Sequence, residues 1–251
     1  MEEINNKLEL LYKLAQDVSY HYVKSKYKHN FAGNGEDFIY RLRDSLQFRV
    51  NSVAWHYSNL ELRHKQAVQH HFFVLKGDER IDHLMNHQTI QSFVFDDIIF
   101  NLLSAFEYLG NLVGYFWKDS HGKKMRWRGL AKSVRDKSNG FPYQSLSIAI
   151  DFSDRCFVEK LEDYRANIFH YQNHEGGVST YIDMTLGEDP FRINTSSSDR
   201  FKKVFKEFNV NEDQNELLAY SKYCISVSFD IVEDILKSLL EWEVVARPFK
   251  I

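Results

Sequence analysis

The chain has 251 residues, enough to bury a substantial core either as one domain or as a domain with a large extension. Hydrophobic residues make up 43% of it and charged residues 27%, a balance typical of a soluble globular protein that argues against disorder. The formal net charge of −3 does not indicate a protein held on nucleic acid by overall electrostatic attraction, so any such contact must be local.

Helical patterns dominate the first half of the chain. Apolar residues recur at helical spacing over residues 4–28 and again over residues 36–75, where the pattern fits either one bent helix or two. A turn is predicted at Gly77 and Asp78, because this pair is typical of a chain reversal. A third helix is then expected to continue into the strongly apolar stretch of residues 92–117.

No membrane segment and no secretory signal are expected. The apolar stretch contains charged and amide side chains that disfavour a bilayer, namely Asp96, Asp97, Asn101, Glu107 and Asn111. The amino terminus lacks a basic region followed by an apolar run. Cys156 and Cys224 both fall in apolar helical patterns, where a free thiol behaves as a small hydrophobe. These features predict a cytoplasmic protein in a reducing compartment.

The second half combines helices with one strand-like region. Residues 118–137 form the most basic window of the chain, with eight Lys or Arg against two Asp. A helix is predicted to begin near Ser145 and to end before the pair Gly176 and Gly177. Alternating apolar and polar residues then predict a β-hairpin near residues 178–196, and the remainder of the chain returns to helical patterns.

The helix that covers residues 151–174 carries both an apolar stripe and a chemically versatile group. The stripe, at steps of four, three and four, is expected to face a core and consists of Phe157, Leu161, Tyr164 and Ile168. Off the stripe lie a cation, an amide and an imidazole suited to binding and cleaving a phosphodiester, namely Arg165, Asn167 and His170.

The segment YRANIFHYQ, which holds these three residues, resembles the Arg-x4-His motif of the HEPN superfamily of small all-helical proteins, many of them metal-independent endoribonucleases. Residues 92–117 are similar to the long helix that precedes the motif helix in that family. The resemblance implies an all-α, up-and-down helical bundle with a small β-hairpin insertion. In this interpretation residues 91–251 form the HEPN-like domain, and residues 1–90 form a helical extension packed on it.

Metal-independent RNA cleavage gives each motif residue a role. Arg165 is assigned to phosphate, because its planar fork matches phosphate oxygens. His170 is assigned to acid–base transfer and Asn167 to orientation. One imidazole does not readily act as acid and base at once, so the mechanism favours two facing copies. The resemblance likewise implies a homodimer, a role in host defence or a toxin–antitoxin system, and an antitoxin or other protein as a further partner.

Two other interpretations of the motif helix remain open. Arg165 can pair with Glu162 or Asp163 while His170 packs near the helix end, which would be a purely structural arrangement. Family members usually carry a polar residue directly after the arginine, whereas this chain has Ala166. That departure favours an alternative function, a catalytically inactive HEPN-like module that binds RNA, a nucleotide or a partner protein.

The basic window at residues 118–137 is the predicted nucleic-acid contact. Cations there can hold a phosphate backbone while an aromatic ring stacks on bases. The residues assigned to this role are Lys123, Lys124, Arg126, Trp127 and Arg128. The alternative is that the window is an ordinary solvated loop.

Eleven histidines raise the question of a metal site. His83 and His87 lie at i and i+4 with Asp82 beside them, a spacing that suits zinc, and further histidines cluster within residues 64–71. No third ligand stands at a diagnostic spacing in the sequence. The sequence therefore predicts no metal and no cofactor.

Overall fold

A computed structural model describes residues 1–27, 37–118, 125–136, 141, 144–170, 179–183, 192–210 and 215–243. For residues 118, 144, 167–170, 181, 183 and 200 it describes the main chain alone. Within these ranges the chain is almost entirely helical, with one two-stranded antiparallel sheet. The prediction of an all-α helical protein with a small hairpin is confirmed.

The elements follow the predicted order closely. In chain order they are α1 (Glu2–Tyr27), α2 (Phe38–Phe73), α3 (Glu79–Lys118), α4 (Trp127–Arg135), α5 (Gln144–Ser153), a π-helical turn (Asp154–Val158), α6 (Glu159–His170), β1 (Ser179–Asp183), β2 (Arg192–Ser196), α7 (Asp199–Val204) and α8 (Glu216–Leu240).

The choice between one helix and two over residues 36–75 is resolved in favour of a single helix, α2. The next predicted helix also runs without interruption through the apolar stretch, as α3. Between them Gly77 has a φ of +57°, a left-handed conformation that glycine adopts without a steric cost. The predicted turn at Gly77 and Asp78 is therefore confirmed.

The chain divides into two compact units, and each draws on distant parts of the sequence. The first unit consists of Met1–Asn51, Asn101–Glu159 and Val227–Ile251, and the second of Ser52–Phe100 and Lys160–Ser226. The boundary expected near residue 90 lies inside α3 and inside the second unit.

In the first unit, Asp37 connects three helices. Its carboxylate caps α2 by accepting the backbone N–H of Ile39 at 2.9 Å. It also accepts the hydroxyls of Tyr27 from α1 at 2.7 Å and of Tyr115 from α3 at 2.9 Å. Burial acts to raise the pKa of Asp37, but these donors and Lys26 together hold it below its ordinary value. An ionised carboxylate thus fixes the start of α2 against α1 and α3.

Two glycines of α3 allow the start of α4 to come close. A Cβ on Gly110 would lie 2.8 Å from the backbone nitrogen of Trp127, and a Cβ on Gly114 would lie 2.7 Å from Cβ of Met125. Only glycine leaves room for this approach. The Trp127 ring is buried against Phe106 of α3, with ring centroids 5.1 Å apart.

In the second unit, Phe201 of α7 is the centre of an aromatic core. Its ring makes edge-to-face contacts with Tyr164 of α6 at 4.7 Å, Phe95 of α3 at 5.2 Å and Tyr220 of α8 at 5.1 Å between centroids. All four rings are buried. This cluster fixes the inner face of α6 and therefore the direction in which its outer face points.

The hairpin is anchored to the same unit. Ile182 of β1 pairs with Ile193 of β2, whose side chain is buried. Asn194 accepts the backbone N–H of Glu216 through Oδ1 at 3.2 Å and so connects β2 to the first residue of α8. The β-hairpin predicted near residues 178–196 is confirmed by these strands.

By length and hydropathy, α3 is the one helix in the described ranges that could cross a membrane, and half of its most apolar window is buried inside the fold. A buried core helix of a soluble protein has the same composition. Hydropathy alone therefore assigns no membrane span to α3.

Candidate functional site

The residues assigned to phosphodiester cleavage lie in the last two turns of α6. Three of the four stripe residues are buried as predicted: Phe157, Leu161 and Tyr164. The side chains of Ile168, Asn167 and His170 lie outside the described residues. The arrangement of the amide and the imidazole around Arg165 therefore stays a prediction.

Arg165 has a described side chain, and it is partly exposed. Its guanidinium carbon lies 5.6 Å from the ring centroid of Phe100 on α3, a cation–π contact. The preceding residue, Tyr164, is locked into the aromatic core by Phe201. A planar guanidinium at this position matches the geometry of phosphate oxygens.

Asp96 of α3 lies near α6 and has a raised pKa. Burial and the neighbouring charge of Asp97 raise the pKa of Asp96 to about 6. The pKa of Tyr164 is raised by burial and by the charge of Asp96. Asp97 is exposed, whereas Asp96 is only partly exposed.

The basic window is partly helical and only partly available to a nucleic acid. Lys123 and Lys124 lie outside the described residues, and Arg126 and Arg128 are exposed. Trp127 is 0% exposed, so its ring is not available to stack on a base. The prediction for Trp127 is therefore corrected: the close approach of α4 to the glycines of α3 places the indole in the core.

Five histidines come together between α2 and α3 in the second unit: His64, His70, His71, His83 and His87. The ring centroid of His83 lies 5.2 Å from that of His70 and 5.8 Å from that of His71. The centroid of His87 lies 6.4 Å from that of His83 and 5.9 Å from that of His64. Part of this group lines an open groove of about 700 Å³.

Burial keeps several of these imidazoles neutral. It lowers the pKa of His64 and of His87 to about 4, with smaller contributions from neighbouring cations and imidazoles. The pKa values of His71 and His83 are lowered for the same reason. Among the described residues, no three His, Cys, Asp or Glu side chains are already placed to hold a metal ion.

Sequence reasoning found the pair His83 and His87 and the histidines within residues 64–71, but it did not predict that the two groups meet. The missing information is the register of the α2–α3 hairpin, which decides which histidines meet across the turn at Gly77. A signal was present, because His64 and His71 are seven residues apart and so share a helical face, and His83 with His87 form the matching pair after the turn.

Comparisons with family models, with curated proteins and with solved structures found no match to this chain. The HEPN resemblance therefore rests on the motif in α6 and on the long apolar helix before it.

Proposed function

We propose that this chain is a metal-independent endoribonuclease of HEPN type that acts as a homodimer. The observation that carries the proposal is the position of Arg165, a partly exposed residue of α6 whose guanidinium contacts Phe100 of α3. The opposite face of α6 is buried. A cation that is already oriented loses less conformational entropy when it binds a phosphate. The packing of Tyr164 against Phe201 holds α6, and with it the motif, in a defined orientation.

The proposed reaction is transesterification of RNA. The 2′-oxygen attacks the adjacent phosphorus, and a base takes the 2′-hydroxyl proton. The bond from phosphorus to the 5′-oxygen breaks, and an acid gives that oxygen a proton, so the products are a 2′,3′-cyclic phosphate and a 5′-hydroxyl. Arg165 balances the charge on the phosphoryl oxygens, His170 transfers protons and Asn167 orients the reacting groups.

The proposed reaction calls for a second copy of the chain. A base and an acid are needed in the same step, and the motif supplies one imidazole. Two motif helices that face each other across a two-fold axis would supply both. The setting in host defence or a toxin–antitoxin system, with an antitoxin as a further partner, belongs to the proposal and derives from the resemblance.

The test uses the purified full chain, mixed RNA and a chelator. We expect cleavage to products with 2′,3′-cyclic ends, and a loss of at least about 100-fold in rate for both His170→Ala and Arg165→Ala. Matched controls are His56→Ala and Arg155→Ala, which alter one imidazole and one exposed guanidinium outside α6. Equal cleavage by the His170→Ala protein would identify a contaminating nuclease and remove the proposal.

The second candidate function is a HEPN-like module that binds RNA, a nucleotide or a partner protein without catalysis. The observation that favours it is Ala166, an exposed methyl group on α6 where the family pattern has a polar side chain. Such a module would retard labelled RNA in a gel without cutting it, and Arg165→Ala would weaken that retardation.

A further inference from the structure

The histidines between α2 and α3 are polar groups at a helix–helix contact, where apolar side chains are usual. His71 and Gln91 are 0% exposed, and His87 is 5% exposed. Within the described residues, both ring nitrogens of His71, Nε2 of His87 and both amide atoms of Gln91 lack a hydrogen-bond partner. Buried polar atoms without partners cost free energy, so this group of side chains is poorly explained by packing alone.

We propose that four of these side chains, named here the imidazole cluster (His70, His71, His83 and His87), bind a divalent transition-metal ion of the zinc class. His83 and His87 stand at i and i+4 on one helix, the spacing with which helices present two imidazoles to zinc. His70 and His71 approach from the opposite helix. A site drawn from both helices would join them close to the turn that connects them.

The separations between His83 and the other three rings can be compared with those in a zinc site. Two imidazoles bound to one tetrahedral zinc have centroids roughly 5 Å apart, because each Zn–N bond is about 2 Å long. The ring of His83 is 5.2 Å from His70 and 5.8 Å from His71 by centroids, and 6.4 Å from His87. The rings do not yet point their nitrogens at a common centre. Metal binding would require rotation of these side chains.

The chemistry of the groove selects the class of ion. Its described lining contains three imidazoles of the cluster and no carboxylate, which disfavours magnesium and calcium and favours zinc, nickel or copper. The burial that keeps His87 neutral leaves a ring nitrogen free to donate its lone pair to a metal. An anion such as phosphate would need charged imidazoles instead. Arg63 also lines the groove, but its side chain is exposed to solvent.

A further feature fits metal ligation. A metal-bound imidazole usually donates its other ring N–H to a carbonyl or carboxylate oxygen. Gln91 lies one helical turn after His87, and its amide oxygen is buried without a partner in the described residues. Gln91 therefore stands on the same face of α3 as His87, and its amide oxygen is an unused acceptor for an imidazole N–H.

The experiment uses the untagged full chain, stripped of metal with a chelator and then dialysed. Zinc is titrated by calorimetry, and cobalt is added separately as a spectroscopic probe of tetrahedral nitrogen ligands. The variants are His83→Gln, at the centre of the cluster, and His70→Gln, which replaces an exposed residue and so leaves the core intact. The control is His56→Gln, an imidazole of α2 that contacts Asp97 instead of the cluster.

We expect one equivalent of zinc per chain, and an affinity weakened at least tenfold by His83→Gln and by His70→Gln but unchanged by His56→Gln. Zinc should also raise the Tm of the parent protein, because an ion that binds only the folded state stabilises it. Absence of binding by the parent, or equal binding by all variants, would overturn the proposal. The outcome is independent of the ribonuclease proposal, whose assay is run in chelator.

Discussion

The indole Nε1 of Trp127 donates a hydrogen bond of 2.7 Å to Oδ1 of Asp154, so the aromatic residue of the most basic window is paired with a buried acid. The other oxygen of the same carboxylate, Oδ2, accepts from Arg135 at 2.6 Å. Asp154 therefore binds the first and the last residue of α4 at once.

Loss of this carboxylate should destabilise the first unit. Asp154→Ala leaves a buried indole N–H without its acceptor and a guanidinium without one of its partners, and we expect a loss of about 2–4 kcal/mol in the free energy of unfolding. Asp154→Asn keeps an acceptor for the indole and should lose less. Urea unfolding monitored by circular dichroism measures both. If Asp154→Ala unfolds at the urea midpoint of the parent protein, the pairing contributes nothing to stability.

Close packing of α3 and α4 predicts opposite effects for two glycine substitutions. Gly110→Ala places a methyl group 2.8 Å from the backbone nitrogen of Trp127 and should destabilise the protein by about 1–3 kcal/mol. Gly129→Ala, inside α4 with nothing within 4 Å of the new methyl, should stabilise it by about 0.5–1 kcal/mol. Thermal unfolding compares the two, and a shift of the same sign in both would contradict this account of the contact.

Stability should fall with rising pH because of Asp96. Its folded-state pKa of about 6 lies above the ordinary value of 3.8, so the folded protein retains the proton to higher pH than the unfolded chain. The stabilising contribution is complete below about pH 4 and is lost as the pH rises through 6. Asp96→Asn removes this dependence and should be more stable than the parent by about 1–2 kcal/mol at pH 7.5, after allowance for partial exposure, and similar to it at pH 4.

The control for that substitution is Asp97→Asn, which changes the neighbouring exposed carboxylate. Because Asp97 lies near His56 and is largely solvated, its replacement should alter stability much less across the same pH range. Equal gains at pH 7.5 from both substitutions would show that general charge reduction, rather than burial of Asp96, is responsible.

If the basic window contacts RNA, its exposed cations should do so without the buried ring. Replacing Arg126 and Arg128 together with Gln should weaken RNA binding and reduce the slope of log affinity against log salt by about 1.4, or about 0.7 for each lost contact with a single strand. Trp127→Phe should lower stability but leave RNA affinity unchanged in the fraction that is folded. A large loss of affinity in folded Trp127→Phe would restore the stacking role.

The two cysteines should differ sharply in reactivity. The sequence places both in apolar patterns, which is right for the buried Cys224 and wrong for Cys156, which is exposed on the π-helical turn. Burial also raises the pKa of the Cys224 thiol and so depletes its reactive thiolate. A colourimetric thiol reagent should label one equivalent quickly and the second only in denaturant, and Cys156→Ser should abolish the fast phase.

Local patterns in the sequence were sufficient to predict the helical segments, the turn at Gly77 and the hairpin, because these depend on apolar spacing and on glycine. They did not decide whether residues 36–75 form one helix or two. The burial of Trp127 could not be predicted from the residues next to it in the sequence. An aromatic ring among cations is typical of a stacking surface, yet its burial is decided by Gly110 and Gly114, which are distant along the chain. The pair of small residues four apart on α3 was the usable sign of a close helix contact.

The two candidate sites also differ in whether local sequence patterns were enough to predict them. Arg165 is predictable as an outward-facing residue, because the stripe that contains Leu161 and Tyr164 fixes the buried side of α6. The imidazole cluster depends on contacts across two helices, and no single helical period reveals that His71 and His83 are neighbours.

Helices α2, α3 and α8 each contribute residues to both compact units, so neither unit corresponds to an uninterrupted piece of the gene. Replacement of either half of the chain would therefore remove part of the core of both units. A fragment that begins at residue 91 would lack residues 1–51 of the first unit and residues 52–90 of the second, so it would retain neither core intact.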